Sequence, residues 1–262
     1  MLQQIIDQAP QFFGYYNVLF LLQAFAATLL LSLVGCVLGF ALGFVLAVAR
    51  RTADWRLAPL RGLVVVFTEA FRRIPFLVTL MLVFFAFQAL KLDVSMFAVA
   101  LFSVCLIATA FITEIVRAGL DSVHRNQWDA AAAMNFTYIE TLRYIVVPQA
   151  WKVMLPPAFS FFVLFIKDTA LASQIGVVEL TFAGKVLANK GFPAALTFGT
   201  ILVLYFVLSW PLARFGRWMG ARLAPTRASS SLHPAPGSGP RPGTWPAGSA
   251  LGAGSPPRRR EP

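Results

Sequence analysis

Apolar stretches long enough to cross a membrane recur along this chain, and they restrict its fold more than any other feature. About 20 helical residues cross a hydrocarbon layer roughly 30 Å thick. Inside such a layer every backbone N–H and C=O must be bonded within the protein, which leaves helices as the spanning element. The stretches fall at about residues 19–49, one ending near Leu90, 94–116, 154–175 and 194–215. They predict an all-α polytopic membrane protein with about five transmembrane helices. Composition agrees: 58% of the 262 residues are hydrophobic and 25 are Phe, against about 45–50% apolar residues in soluble domains.

The first stretch exceeds one perpendicular crossing, so its helix tilts or starts late. The second is ambiguous. Residues 74–90 are a clean apolar run of 17 at the short limit for a span. Residues 57–71 before it are apolar but interrupted by Arg61 and Glu69. Either that portion lies in the membrane interface, or the whole is one long tilted helix broken near Pro75.

The net charge of +11 suits nucleic acid in a soluble protein, but the basic residues are distributed by side. Arg50, Arg51, Arg56 and Arg61 follow the first span; Arg117, Arg125, Arg143 and Lys152 follow the third; Arg214, Arg217, Arg222 and Arg227 follow the fifth. The other side holds only Lys91, Lys185 and Lys190. Twelve against three puts the N-terminus outside and the C-terminus in the cytoplasm. The charge is therefore topological, and nucleic-acid binding is not expected.

Cys36 and Cys105 both lie in apolar runs and read as small buried hydrophobes, with no metal site. No cleavable signal peptide is expected, because residues 1–17 lack a basic start and a short apolar core. After about Ala224 the chain turns to Pro, Gly, Ser and Ala, and a disordered tail over 225–262 is expected. The division is an extracytoplasmic segment, 1–18; a transmembrane domain, 19–224, with a cytoplasmic loop at about 118–152; and the tail.

Several polar groups sit where lipid makes them expensive. Lys167 lies about 20 Å along the fourth span, and a charge near the bilayer centre normally faces a protein interior or a watery cavity. Neighbouring helical residues point about 100° apart, so Lys167 and Asp168 need separate partners. With Thr169 they offer a cation, an anion and a hydroxyl to a zwitterionic solute; a structural interhelical ion pair is the competing reading. Glu69 and Arg72 are three apart and share a helical face, bordering a central cavity if the second span is one long helix. Arg73 reads as an interfacial anchor, and Glu114 with Arg117 as a structural pair. Gly35, Gly39 and Gly43, four apart, form a face on which another helix backbone can approach closely.

The loop 126–148, NQWDAAAAMNFTYIETLRYIVVP, carries the strongest local signals. Asn126 is expected to cap a helix through Ala133, with Asp129 in its first turn complementing the dipole. Asn135 suits a left-handed terminating position. Thr137 with Glu140 reads as a capping box for a second helix, which Pro148 should end. Ala130, Ala131 and Ala132 leave the first helix thin enough for a partner groove to approach, and Trp128 adds a large anchor. Ordinary loops also contain short alanine-rich helices, but two consecutive capped ones point to a docking element.

These segments are similar to the polar amino-acid branch of ABC importer permeases. WDAAAAMNFTYIETLRYIVVPQA resembles the cytoplasmic EAA loop, and TEIVRAG (113–119), FRRIPFLV (71–78) and KDTALAS (167–173) resemble further segments in the same order. The likeness covers about 19–224. Asp129 stands where the family has Glu, Asn135 where it has Gly, Val147 where it has Leu, and Arg73-Ile74 where it often has Gly-Thr.

The resemblance implies that Trp128, Asp129, Ala130, Ala131, Ala132 and Asn135 belong to a coupling helix that enters a groove on a cytoplasmic ABC ATPase. Lys167, Asp168, Thr169, Glu69 and Arg72 would line the solute pathway. It further implies a second permease subunit (self or sister chain), an extracytoplasmic solute-binding protein, and a multi-pass location in the bacterial inner membrane. The chain has no G-x-x-x-x-G-K-[ST] loop and so no nucleotide site of its own. It is expected to bind no cofactor, ATP and Mg²⁺ belonging to the ATPase. Two other classes remain open on the residues alone: an ion-coupled secondary transporter, which would show internal repeats, and a non-transporting scaffold, which leaves Lys167 and Asp168 unexplained.

Overall fold

The computed structural model describes residues 2–51, 56 and 58–223. In order, the helices are α1 (Leu2–Phe12), α2 (Tyr15–Arg51), α3 (Ala58–Arg73), α4 (Phe76–Ala89), α5 (Met96–Asp121), α6 (Arg125–Ala133), α7 (Tyr138–Glu140), α8 (Val147–Asp168), α9 (Leu180–Asn189) and α10 (Ala194–Leu223). A π-helical segment, Thr141–Val146, joins α7 to α8, and a 3-10 segment, Thr169–Ile175, prolongs α8. The chain is thus helical without interruption from Tyr138 to Ile175. The expected tail over 225–262 lies outside the described residues.

Among the described residues, four helices are long and apolar enough to span: α2, α5, the run Tyr138–Ile175 and α10. A fifth crossing exists only as the pair α3 and α4, bent by 115°. The break falls beside Pro75, where one reading of the sequence put it, but a bend this sharp leaves two separate helices instead of one long tilted one. Proline explains the break, because it lacks an N–H and disfavours helical geometry in the residue before it. Pro75 instead becomes the extended N-cap of α4, with φ −57° and ψ 140°.

The tightest packing is between α2 and α5. Gly35, Gly39 and Gly43 meet Val104, Ala108 and Ile112, so two four-residue repeats run parallel and in step. A Cβ on Gly43 would stand 2.9 Å from Ile112 Cβ, and those on Gly35 and Gly39 would overlap Val104 and Ala108 outright. Between membrane helices, dispersion at such close range replaces a hydrophobic force. Gly119 of α5 receives Met154 of α8 in the same way. Buried hydroxyls do not disturb this core: Ser32, Ser103 and Thr113 bond back to the carbonyls of Thr28, Val99 and Thr109 at 2.8, 2.9 and 2.6 Å. Cys36 is buried and Cys105 half-buried, both as free thiols.

At the end of the bundle opposite α6, Phe12, Leu21, Ala24, Leu180, Leu187 and Ile201 form a second, smaller core. It unites α1, α2, α9 and α10. The sequence reading gave neither α1 nor α9, because each is too short to register as a span.

Candidate functional site

The loop between α5 and α8 folds as two helices whose capping corrects the expected start. His124, rather than Asn126, is the N-cap: its Nδ1 accepts from the Asn126 N–H at 3.2 Å. Asp129 consequently sits in the second turn of α6. The C-terminal expectation holds, since Asn135 adopts φ 59°. Asn135 N–H bonds Ala132 O at 3.0 Å and Phe136 N–H bonds Ala131 O at 3.1 Å, the paired closure of a left-handed helix stop. The Thr137–Glu140 capping box is also present, with the Thr137 N–H donating to Glu140 Oε2 at 2.8 Å.

Pro148 does not end the second helix. It is the second residue of α8, directly after the π-helical segment. The π-helical turns just before it widen the backbone so that the helix continues into the membrane span. Gln149 strengthens the junction, its amide donating to Ile145 O at 2.9 Å and to Gln127 Oε1 of α6 at 3.3 Å.

The faces of α6 divide its candidate residues. Asp129, Ala130 and Ala132 are exposed, as is Asn135 beyond the helix end, whereas Ala131 is completely buried. Trp128 turns towards its own chain: it is half-buried, lies 4.4 Å under the Arg51 guanidinium, and stacks on Tyr138 with ring centres 6.2 Å apart. Beside it, a charged group closes the ends of α2 and α5. Arg50 donates to Glu114 at 3.1 Å, Arg117 to Glu114 at 2.9 Å through Nε and to Asp121 at 2.6 Å, and Arg51 to Asp121. The expected Glu114–Arg117 pair is thus one side of a larger network.

Of the pathway candidates, Lys167 extends into a groove of about 580 Å³ between α8 and α10, with Tyr205, Ser209 and Trp210. Asp168 is half-buried, and Thr169 is fully buried with its hydroxyl donating to Ile166 O at 2.7 Å. The three adjacent residues therefore do not present cation, anion and hydroxyl together. Glu69 takes Arg73 as its principal partner at 2.7 Å, with Arg72 at 4.0 Å. Arg72 instead lies 5.9 Å from the centre of the Phe111 ring, which stacks on Phe161 of α8. That is a different side of α8 from the Lys167 groove.

A polar cluster absent from the sequence reading surrounds Glu179, which is fully buried. As N-cap of α9 it accepts from the Thr181 and Phe182 N–H groups at 2.9 and 2.7 Å, and from the Tyr205 hydroxyl of α10 at 2.7 Å. With that proton committed, Thr181 donates its own hydroxyl to the Tyr205 oxygen at 3.0 Å. Lys185 bonds Ser173 at 3.0 Å nearby. Burial pushes the Glu179 carboxyl above its ordinary range, against the pull of these donors.

Residues 39–226 match the family described as binding-protein-dependent transport system inner membrane component. The glutamine transport system permease protein GlnP of Escherichia coli (strain K12) is 30% identical over 207 residues, covering 78% of this chain and 92% of that protein. The L-cystine transport system permease protein TcyB of Bacillus subtilis (strain 168) is 36% identical over 153 residues, 58% of this chain and 64% of the relative. The fold is also that of an amino acid ABC transporter crystallised with histidines, with a TM-score of 0.70 at 22% identity over 79% of this chain and 95% of that one. Membrane-length helices, a capped extramembrane helical loop and this match over most of the chain agree, and the chain belongs to the binding-protein-dependent transport system inner membrane components.

Proposed function

We propose that this chain is the permease subunit of an ATP-binding-cassette importer for a polar amino acid, delivered by an extracytoplasmic binding protein. The observation that carries the reading is α6, a helix of nine residues capped at both ends, with a thin exposed face of Asp129, Ala130 and Ala132. Such a face suits a groove on a cytoplasmic ATPase, which would bind ATP and Mg²⁺. The excess of arginines at the α6 end supports placing that end in the cytoplasm. Curated relatives named for glutamine and L-cystine support an amino-acid solute. Lys167, the one charged side chain among the described residues lining its mainly apolar groove, suits a solute carboxylate. A second permease subunit, self or sister, completes the pathway.

The test is reconstitution of the chain with its ATPase and binding protein in proteoliposomes, following uptake of radiolabelled glutamine and cystine. Uptake should require ATP and both partners. Uptake by the chain alone, driven by an ion gradient, would favour a secondary transporter and sink the proposal.

A further inference from the structure

Contacts from three separate elements close a ring around the docking helix. Arg51, the last residue of α2, donates to Asp121, the last residue of α5. The same guanidinium covers the Trp128 ring of α6 at 4.4 Å. Trp128 stacks on Tyr138 of α7, the planes 25° apart. The Tyr138 hydroxyl returns to α2, donating to the Val48 carbonyl at 3.4 Å. The ring is braced where Arg50 and Arg117 share Glu114. Behind it, α2 and α5 are packed glycine against side chain with no slack to slide.

From this arrangement we propose that Arg51 is a positioning residue that makes α6 move as one body with the α2–α5 pair. Displacement of α6 then reaches the membrane helices directly, instead of being absorbed by bending at 122–124 and 134–137. The planar guanidinium suits this, because its edge bonds a carboxylate while its face stacks on an aromatic ring, whereas an ammonium has no flat face to stack. The inference rests on the reading that α6 seats on an ATPase and adds how motion leaves that seat.

The complete importer carrying Arg51→Ala, Arg51→Lys or Tyr138→Phe tests it, with solute uptake and ATP hydrolysis measured together in proteoliposomes. Arg51→Ala should retain the ATPase through purification yet raise the ATP consumed per solute imported about tenfold, within the range of coupling effects seen for network residues. Arg51→Lys should fall between Arg51→Ala and wild type, keeping the ion pair without the stacking. Tyr138→Phe should shift the ratio in the same direction by about twofold. An unchanged ratio in Arg51→Ala overturns the proposal, as does loss of the ATPase from that variant alone, since Arg51 would then serve docking itself. A wild-type chain that retains no ATPase would overturn the docking reading, and this inference with it.

Discussion

The Tyr205 hydroxyl of α10 donates a 2.7 Å hydrogen bond to Glu179, a buried carboxylate 26 residues earlier that caps α9. This bond ties the short helix to a spanning one. Tyr205→Phe should lower stability by about 1–2 kcal/mol, since it removes one charge-assisted bond from a buried acceptor. Glu179→Ala should lower it further, because the Thr181 and Phe182 N–H groups and the tyrosine all lose their acceptor. Thermal unfolding in detergent would show both, and protease cleavage near α9 should rise in the same order.

Glycine packing gives a prediction with its own control. Gly39→Leu should cost at least about 1–3 kcal/mol, the usual penalty of overpacking, because the new side chain would enter Ala108. Gly199→Leu on α10 should be silent, since nothing lies within 4 Å of the position its Cβ would take. Equal thermal stability of the two variants would contradict the α2–α5 contact.

Among the described residues, two that are not glycine, Lys91 and Asn135, hold left-handed backbone at φ 52° and 59°. That conformation costs an ordinary L-residue roughly 1–2 kcal/mol, and less for asparagine. Lys91→Gly should therefore raise the unfolding temperature. Asn135→Gly should change it little, and Asn135→Val should lower it. A stabilising Asn135→Val would show that α6 does not end in the described stop.

The two sides of α6 should answer differently to bulk. Ala132→Trp, on the exposed face, should leave thermal stability within about 0.5 kcal/mol of wild type while abolishing retention of the ATPase. Ala131→Trp should damage the fold itself, because its position is completely buried. Asp129→Lys should weaken ATPase retention without changing thermal stability. Retention by Ala132→Trp and Asp129→Lys alike would remove α6 from the docking surface.

The spans, the glycine face, the stop at Asn135 and the Thr137–Glu140 box were legible because each is written in residues a few positions apart. His124 was not, since histidine is a rare cap and Asn126 offered a commoner one two residues later. Pro148 misled because its stop signal assumes α-helical turns ahead of it, and π-helical turns precede it here. Trp128 read as an anchor for a partner; its inward turn depends on Arg51 and Tyr138, 77 and 10 positions away in the chain. Glu179 escaped for the same reason, its main side-chain partner lying on another helix. Separate partners for Lys167 and Asp168 followed from adjacency, but the burial of Thr169, which the sequence grouped with them, depended on how the helices pack around it.

The π-helical segment Thr141–Val146 also acts as a phase offset. Each residue of an α-helix turns the chain by about 100°, so an extra residue held in wide turns rotates everything before it relative to everything after. The side of the rod that Tyr138 shows to α2 is consequently not in register with the side that α8 shows to the membrane core. Deleting one residue within 141–146 would let ordinary α-helical turns replace the wide ones and leave α7 and α8 facing much as they do, whereas forcing all six residues into α-helical turns would swing the docking helix around the rod like the hand of a dial.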